Sequence, residues 1–266
     1  MTAHSSLIDS IPGVLHAFGD KTALLPAALQ PWQHSLPIKK QVHGTHVHQV
    51  TQPGEHCGDA DGLMTSTPGL LLTVLTADCL PLLFCRRDGK RIAVLHAGWR
   101  GLLAGIIERF ADVLAQDDDV GQWVVVIGPA AGPCCYEVDE KLVSEFLTVL
   151  PIPAKLVNPT YRHLDLPGIA RYKLEHLGFR AVDDIGHCTI CSISSISSIS
   201  SISPVSPVSP VSTTCTTSTS KNTDNTRQEP SFRYTSFRRN SHRRAVDPRY
   251  PTISGRNQHS GLLILP

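Results

Sequence analysis

No stretch of about 18 consecutive apolar residues occurs in this 266-residue chain, so the sequence offers no candidate for a membrane-spanning helix. The opening residues, MTAHSSLIDSIPGVLHAFGD, lack a basic segment followed by an apolar one, and no secretory signal is expected from them. Methionine is down to two residues, aromatics to 6%, and the net charge to +1. A balance so near zero gives no composition-level case for a nucleic-acid or membrane partner. It does conceal an asymmetry, since residues 221–266 carry nine Lys/Arg against three Asp/Glu. A solvated basic segment is the plainer reading of that tail, with contact to an anionic substrate as the alternative. The eight cysteines are not spaced as a small disulfide scaffold, and reduced thiols in a cytoplasm are expected.

What is present centres on residues 70–101. Two apolar β-type runs, 80–85 and 91–96, are joined across Arg86-Arg87-Asp88-Gly89-Lys90, and Asp-Gly between such runs signals a hairpin. A turn centred there sets position 79 opposite 98 and 81 opposite 96. Cys79 and His96 then share one end of the hairpin, within reach of a common atom.

Around it, strands are expected at 11–18, 39–48, 123–127, 185–191, 232–239 and 260–265, with 58–63 as a loop. Helix periodicity runs over 102–115. Further helices are expected at about 140–150, with Asp139 as N-cap, and from Asp165 to about Leu177, stopping at Gly178. Interleaved strands and helices give an α/β or α+β fold. Residues 192–219 break the pattern with SISSISSISSIS, PVSPVSPVS and TTCTTSTS. Residues 192–230 read as a low-complexity disordered insertion within one domain spanning 1–266.

His43, Cys79 and His96 each flank a predicted strand beside a glycine-containing turn. Three nitrogen or sulfur ligands with an open fourth position is the pattern of a catalytic zinc, with Asp59, Asp61 and Asp78 available to orient the histidines. A buried thiol beside two hydrogen-bonded histidines explains the same residues, and on spacing alone it is the favoured reading. No His-Glu-x-x-His signature is present. Cys188-x-x-Cys191 has no second such pair and reads as core, and the adjacent Cys134-Cys135 read as loop packing. His46-x-His48 fits an alternating strand with one exposed face.

The blocks Gln41-Val42-His43-Gly44, Asp59-Ala60-Asp61-Gly62, Thr76-Ala77-Asp78-Cys79-Leu80-Pro81 and His96-Ala97-Gly98-Trp99-Arg100-Gly101 follow one another in order. Gly128-Pro129 through Cys134-Cys135-Tyr136-Glu137-Val138 continues the series. Together they resemble the YfiH family, also termed the multicopper polyphenol oxidase or laccase-domain family. Tyr234 to Arg239 and Ser254-Gly255-Arg256-Asn257 resemble its closing blocks, so the resemblance covers the chain apart from roughly 192–230.

The resemblance implies an αββα-type sandwich with mixed sheets, related to cysteine hydrolase-like folds. It implies zinc, with copper as the alternative, held by His43, Cys79 and His96. The implied activity is phosphorolysis of adenosine, inosine or guanosine, and of methylthioadenosine, to free base and ribose 1-phosphate, accompanied by adenosine deamination. On that basis Cys79, His43, His96 and Asp78 are the expected catalytic residues. Arg100, Gln41, Asp61, Arg238 and Arg239 are expected at the substrate, with Arg100 and the Gly98/Gly101 backbone cradling phosphate and Arg238 and Arg239 closing the anion site from a C-terminal strand. The expected partners are purine nucleosides and phosphate, acting on a monomer. Two alternatives stand beside this. A copper polyphenol oxidase would want a weak axial ligand such as Met and several paired histidines, of which this chain has few. A metal-free hydrolase would use Cys79 as nucleophile with a histidine beside it.

Overall fold

A computed structural model describes residues 3–194 and 231–266. Its first elements are α1 (Ser6–Asp9), β1 (Val14–Phe18), a 3-10 helix (Gln30–Ser35), β2 (Ile38–Lys40), β3 (Val47–Gln49), β4 (His56–Asp59), β5 (Gly62–Thr65) and β6 (Leu72–Thr76). The central hairpin follows as β7 (Leu80–Arg86) and β8 (Ile92–Ala97), then α2 (Trp99–Ala104), α3 (Ile106–Leu114) and β9 (Trp123–Ile127). The remainder is α4 (Glu140–Val149), α5 (Ala154–Val157), α6 (Leu166–His176), β10 (Ala181–Asp184), α7 (Phe237–Val246) and β11 (Gln258–Ile264).

Strand alternation sets the layers. Leu80, Leu82 and Phe84 of β7, Leu95 of β8 and Trp123 of β9 point to one side, where Phe110 of α3, Phe146 of α4 and Ile169 of α6 cover them. Leu83, Cys85, Ile92, Val94, Val124 and Val126 point to the other, against Leu72, Val74 and Leu262 of a second sheet. The larger sheet is mixed, ordered β10-β9-β7-β8-β5-β3, and the smaller is antiparallel, ordered β1-β11-β6. The outer face of the small sheet is closed by Leu29 and Trp32 over Ala17, Leu71 and Leu263. The sandwich of mixed sheets expected from the resemblance is therefore the architecture found. Its densest point is aromatic, with Phe84 and Phe110 ring centroids 4.6 Å apart and Phe110 and Trp123 5.8 Å apart. Truncating such a buried ring costs about 3–5 kcal/mol.

Two of the helix boundaries expected from the sequence are found with their caps. Asp139 accepts from the Leu142 amide at 2.7 Å, and Asp165 from the Gly168 amide at 2.9 Å. α6 ends just before Gly178, whose φ of +97° favours glycine.

Other expectations are corrected. The strand expected over 39–48 is two short strands, because the Asp61 carboxylate gathers the amides of Val42, His43 and Gly44 into a turn between them. The loop expected at 58–63 carries the end of β4 and the start of β5. The helix over 102–115 starts earlier and is broken at Gly105, which adopts a φ of +90°. The strand lies at Ala181–Asp184 rather than 185–191, where the chain turns and touches Ala130 through one bridge at Cys188. The strand expected over 232–239 becomes the start of α7, since Ser236 caps it by accepting from the Arg239 amide.

The expected insertion, 192–230, lies outside the described residues except for 192–194. Those three pair with the returning chain: Ile193 bridges Phe232, and the Ser194 amide donates to the Ser231 carbonyl at 2.7 Å.

Candidate metal centre

The hairpin register places Leu80 opposite Ala97 and Pro81 opposite His96, as the Asp-Gly turn predicts. Cys79 precedes β7 by one residue and so meets the end of β8. His43 arrives from the turn between β2 and β3, at a φ of +61°, a backbone region that non-glycine residues seldom adopt. Its Nε2 lies 3.7 Å from the Cys79 Sγ. One ligand atom from each of His43, Cys79 and His96 lies within 4.8 Å of the others.

Asp61 holds this geometry. It is fully buried, and its carboxylate accepts from His96 Nδ1 at 2.7 Å and from the amides of Val42, His43 and Gly44 at 3.0, 3.0 and 2.7 Å. The bond to His96 Nδ1 leaves the Nε2 of that ring available to a metal, the arrangement that orients histidine ligands. Burial alone would raise the Asp61 carboxyl, but the His96 bond and the backbone amides outweigh it and hold it below the usual carboxylate range. His43 is pushed down by burial and by neighbouring His96, which favours the neutral, ligating imidazole. The Cys79 thiol, in the absence of a cation, is pushed up to about 12 by burial and by the carboxylates of Asp78 and Asp61. A thiol so placed is a poor unaided nucleophile and becomes a thiolate when a cation compensates the burial.

The donor set fits a single zinc: two neutral imidazoles and one thiol converge, and the remaining side faces a cavity of about 800 Å³. It fits a blue-copper centre less well. Met64 lies on β5 with its sulfur against the Arg91 guanidinium, and His48 is bonded to Glu55. Gly98 is part of the fit, because a Cβ built there would lie 2.7 Å from His43 Cδ2 and 3.1 Å from the Cys79 Sγ. Gly98→Ala is therefore expected to displace both side chains and weaken metal binding at least about tenfold, read as metal lost on dialysis against a weak chelator. Wild-type retention by a folded Gly98→Ala protein would overturn that expectation.

The other sequence-predicted residues divide between the cavity and its supports. Arg100 lines the cavity, exposed, with its guanidinium 4.7 Å from the Trp99 ring centroid. Arg238 also lines it, but from the first turn of α7 rather than from a strand, its guanidinium 5.2 Å from the Tyr136 ring. Gln41 lines it too, with its amide engaged by the backbone of Leu75 and by Lys39.

Asp61, expected at the substrate, is wholly occupied behind the ligands. Asp59 is exposed on β4. Arg239 turns away from the cavity: its guanidinium donates to the carbonyls of Thr189, Ile190 and Tyr234 and stacks on Phe232. Asp78, also at positive φ, accepts from Thr189 Oγ1 at 2.7 Å, Ser236 Oγ at 3.1 Å and the Arg238 amide at 2.7 Å. Burial nevertheless raises its carboxyl above the usual range.

Lys39 and His259 are among the cavity residues that the sequence reading did not assign to the site. Lys39 lines the wall, its ammonium lowered to about 8 by burial. His259 faces it from β11, also lowered by burial and by the charge of Lys39. Lys39 lies two residues before a block already singled out, so its position was the available signal. His259 carried none before β11 was seen to border the site.

Fold and site together define a mixed α/β protein with a His2Cys ligand set opening on a cation-lined cavity. The family model for multi-copper polyphenol oxidoreductase laccase matches residues 19–197, and the chain belongs to that family. Purine nucleoside phosphorylase YfiH of Escherichia coli (strain K12) is 35% identical over 162 residues, which are 58% of this chain and 65% of the relative. Purine nucleoside phosphorylase YlmD of Geobacillus stearothermophilus is 33% identical over 182 residues, 60% of this chain and 66% of the relative. The chain thus matches somewhat under two thirds of the length of these relatives. Among solved structures, YlmD from Geobacillus stearothermophilus superposes with a TM-score of 0.61 at 25% identity, covering 68% of this chain and 84% of that one. The Neisseria meningitidis protein NMB0706 gives 0.60 at 26% identity, covering 71% and 88%. No helix among the described residues is long and apolar enough to cross a membrane.

Proposed function

We propose that the chain is a zinc-dependent purine nucleoside phosphorylase, with adenosine deamination as a second activity of the same site. The observation that carries this is the convergence of His43, Cys79 and His96 at one end of a cavity whose wall also presents Lys39, Arg100 and Arg238. The names of the relatives point the same way.

When bound, zinc would supply Lewis-acid chemistry at the ligand end of the cavity. The remaining work falls to side chains. Arg100, Arg238 and Lys39 would hold phosphate, an anion suited to guanidinium donors and to a positive wall. Phosphate oxygen attacks C1′ of the nucleoside, the glycosidic C–N bond breaks, and the base leaves with its electron pair and takes a proton at a ring nitrogen. The products are free base and ribose 1-phosphate. Trp99 and Tyr136 supply flat apolar surface for the purine. Asp78 lines the cavity beside Cys79 and, with three donors upon it, also fixes the start of α7 and the 187–191 turn; the catalytic role expected from the sequence stays part of this proposal.

The test is a paired assay on purified full-length protein: metal content, and hypoxanthine release from inosine with and without phosphate. Phosphate-dependent release by zinc-containing protein is the expected result, with inosine formed from adenosine in the same preparation. No release but turnover of an amide would replace this reading with a cysteine hydrolase. Copper together with phenol oxidation would replace it with an oxidase.

A further inference from the structure

We propose that Cys134, Cys135, Cys188 and Cys191 form a separate metal site, a closed four-thiolate centre that takes one structural zinc ion. The proposal does not depend on the His43–Cys79–His96 reading. Two loops that are far apart in sequence supply it. Residues 131–136 follow β9 and turn tightly, with the Cys135 and Tyr136 amides both donating to the Gly132 carbonyl. Residues 187–192 follow β10 and close on themselves through the Ser192 amide and the Cys188 carbonyl. The two loops are zipped by the Ala130 amide to the His187 carbonyl and the Thr189 amide to the Ala130 carbonyl.

The four Sγ atoms then lie within 4.8 Å of one another, and Cys134 and Cys191 are 3.7 Å apart. A tetrahedral zinc with bonds of about 2.3 Å has sulfur–sulfur edges of about 3.8 Å, so that spacing is the edge of such a site. It is far longer than a disulfide bond of about 2.05 Å. Sulfurs this close surround one ion and leave no room for a cluster of several irons. The Gly132 amide donates to the Cys188 Sγ at 3.3 Å, a bond that favours the charged thiolate over the thiol. Gly132 sits against the cluster, since a Cβ there would lie in van der Waals contact with Cys188 Cβ at 3.5 Å and the Cys134 Sγ at 3.6 Å. Four thiols without a cation would gather no comparable stabilisation. Four thiolates on zinc stabilise the fold directly, since the unfolded chain has no preformed site.

The ion would fasten the turn that buttresses the other centre. Thr189, between Cys188 and Cys191, donates its hydroxyl to Asp78, and the carbonyls of Thr189 and Ile190 receive Arg239 from α7. The same turn leads directly into residues 192–194, which pair with 231–233.

The experiment is metal analysis of the full chain, purified with reductant and without added metal, beside Cys134→Ser, Cys188→Ser/Cys191→Ser and Cys79→Ala variants. Wild type is expected to carry about two zinc ions per chain, and the Cys134→Ser and double variants about one. Cys79→Ala is expected to lose the other. Labelling of the exposed Cys134 by iodoacetamide should accelerate at least about tenfold once a strong chelator removes the metal. Should the double variant fail to fold, cobalt titration of metal-free wild type decides: the four-thiolate site adds intense sulfur-to-cobalt charge-transfer absorption well beyond that of one thiolate. Zinc content unchanged in folded cysteine variants, absence of that absorption, or two disulfides in the freshly purified reduced protein would each overturn the proposal.

Discussion

Asp61→Ala is expected to cost about 3–5 kcal/mol of folding stability and to release the metal from His43, Cys79 and His96. The carboxylate is the sole acceptor shown for four donors: the ring of His96 and the amides of Val42, His43 and Gly44. Each buried donor left without a partner costs about 1–3 kcal/mol, and water entering the vacated space recovers part of the sum. Domains of this kind are stable by only about 5–15 kcal/mol, so the loss is a large fraction of the whole. Asp61→Asn is expected to lose less, because one oxygen remains, but its amide must then face an N–H. Because the folded state holds this carboxyl below its ordinary value, its contribution is present above about pH 3.9. It disappears as pH falls through the folded-state value. Denaturant midpoints for wild type and both variants at neutral pH, with metal content, check this. A folded Asp61→Ala protein within about 0.5 kcal/mol of wild type, metal retained, would refute the role assigned to Asp61.

Cys79→Ala is expected to abolish phosphorolysis, by on the order of a thousandfold or more, while the protein stays folded and its melting transition falls toward that of metal-stripped wild type. A Lewis acid at the reacting centre contributes several kcal/mol of transition-state stabilisation, and about 4 kcal/mol corresponds to a thousandfold in rate. Removing the only sulfur of the ligand set leaves two imidazoles, too few to hold zinc against dialysis. The fold itself does not lean on Cys79, whose sulfur has His43 as its one hydrogen-bonding neighbour. Parallel measurement of hypoxanthine release and zinc per chain separates the alternatives. Loss of activity with loss of about one zinc supports the metal role. Loss of activity at constant zinc would instead mark Cys79 as a nucleophile, and full activity would remove it from the chemistry altogether.

Much of this site can be read from one dimension because its central unit is local. Asp88-Gly89 fixes the hairpin register, and register brings Cys79 to His96 without tertiary information. Caps at Asp139 and Asp165 were legible for the same reason: a side chain two or three residues from the amide it serves is a local device. Failures occur where distant groups override local pattern. Alternation over 39–48 suggested a continuous strand, but a carboxylate about twenty residues away pulls three of its amides into a turn. The apolar residues around Phe232 suggested a strand, and Ser236 starts a helix instead. The four-cysteine cluster was invisible because an adjacent pair and a spaced pair each look incomplete. Only the pairing of the loops after β9 and β10 brings them together. Arg239 was placed at the substrate from the resemblance, and nothing in its sequence neighbours revealed the three carbonyls it serves.

The position of β11 has a consequence for how the molecule comes into being. The strand from Gln258 to Ile264 lies between β1 and β6, pairing Val14 with Ile264 and Thr76 with Gln258. A growing chain emerging from the ribosome can close the β7–β8 hairpin early, but its small sheet stays split until residues 258–264 have emerged. Contacts of such sequence separation are slow to find, and in the interval β1 and β6 lack their common partner strand and the place of Leu262 in the core between the sheets is unfilled. A chain interrupted before residue 258 would therefore leave the facing edges of β1 and β6 unpaired. Arrival of β11 thus completes the small sheet and, at His259, the cavity wall in one step.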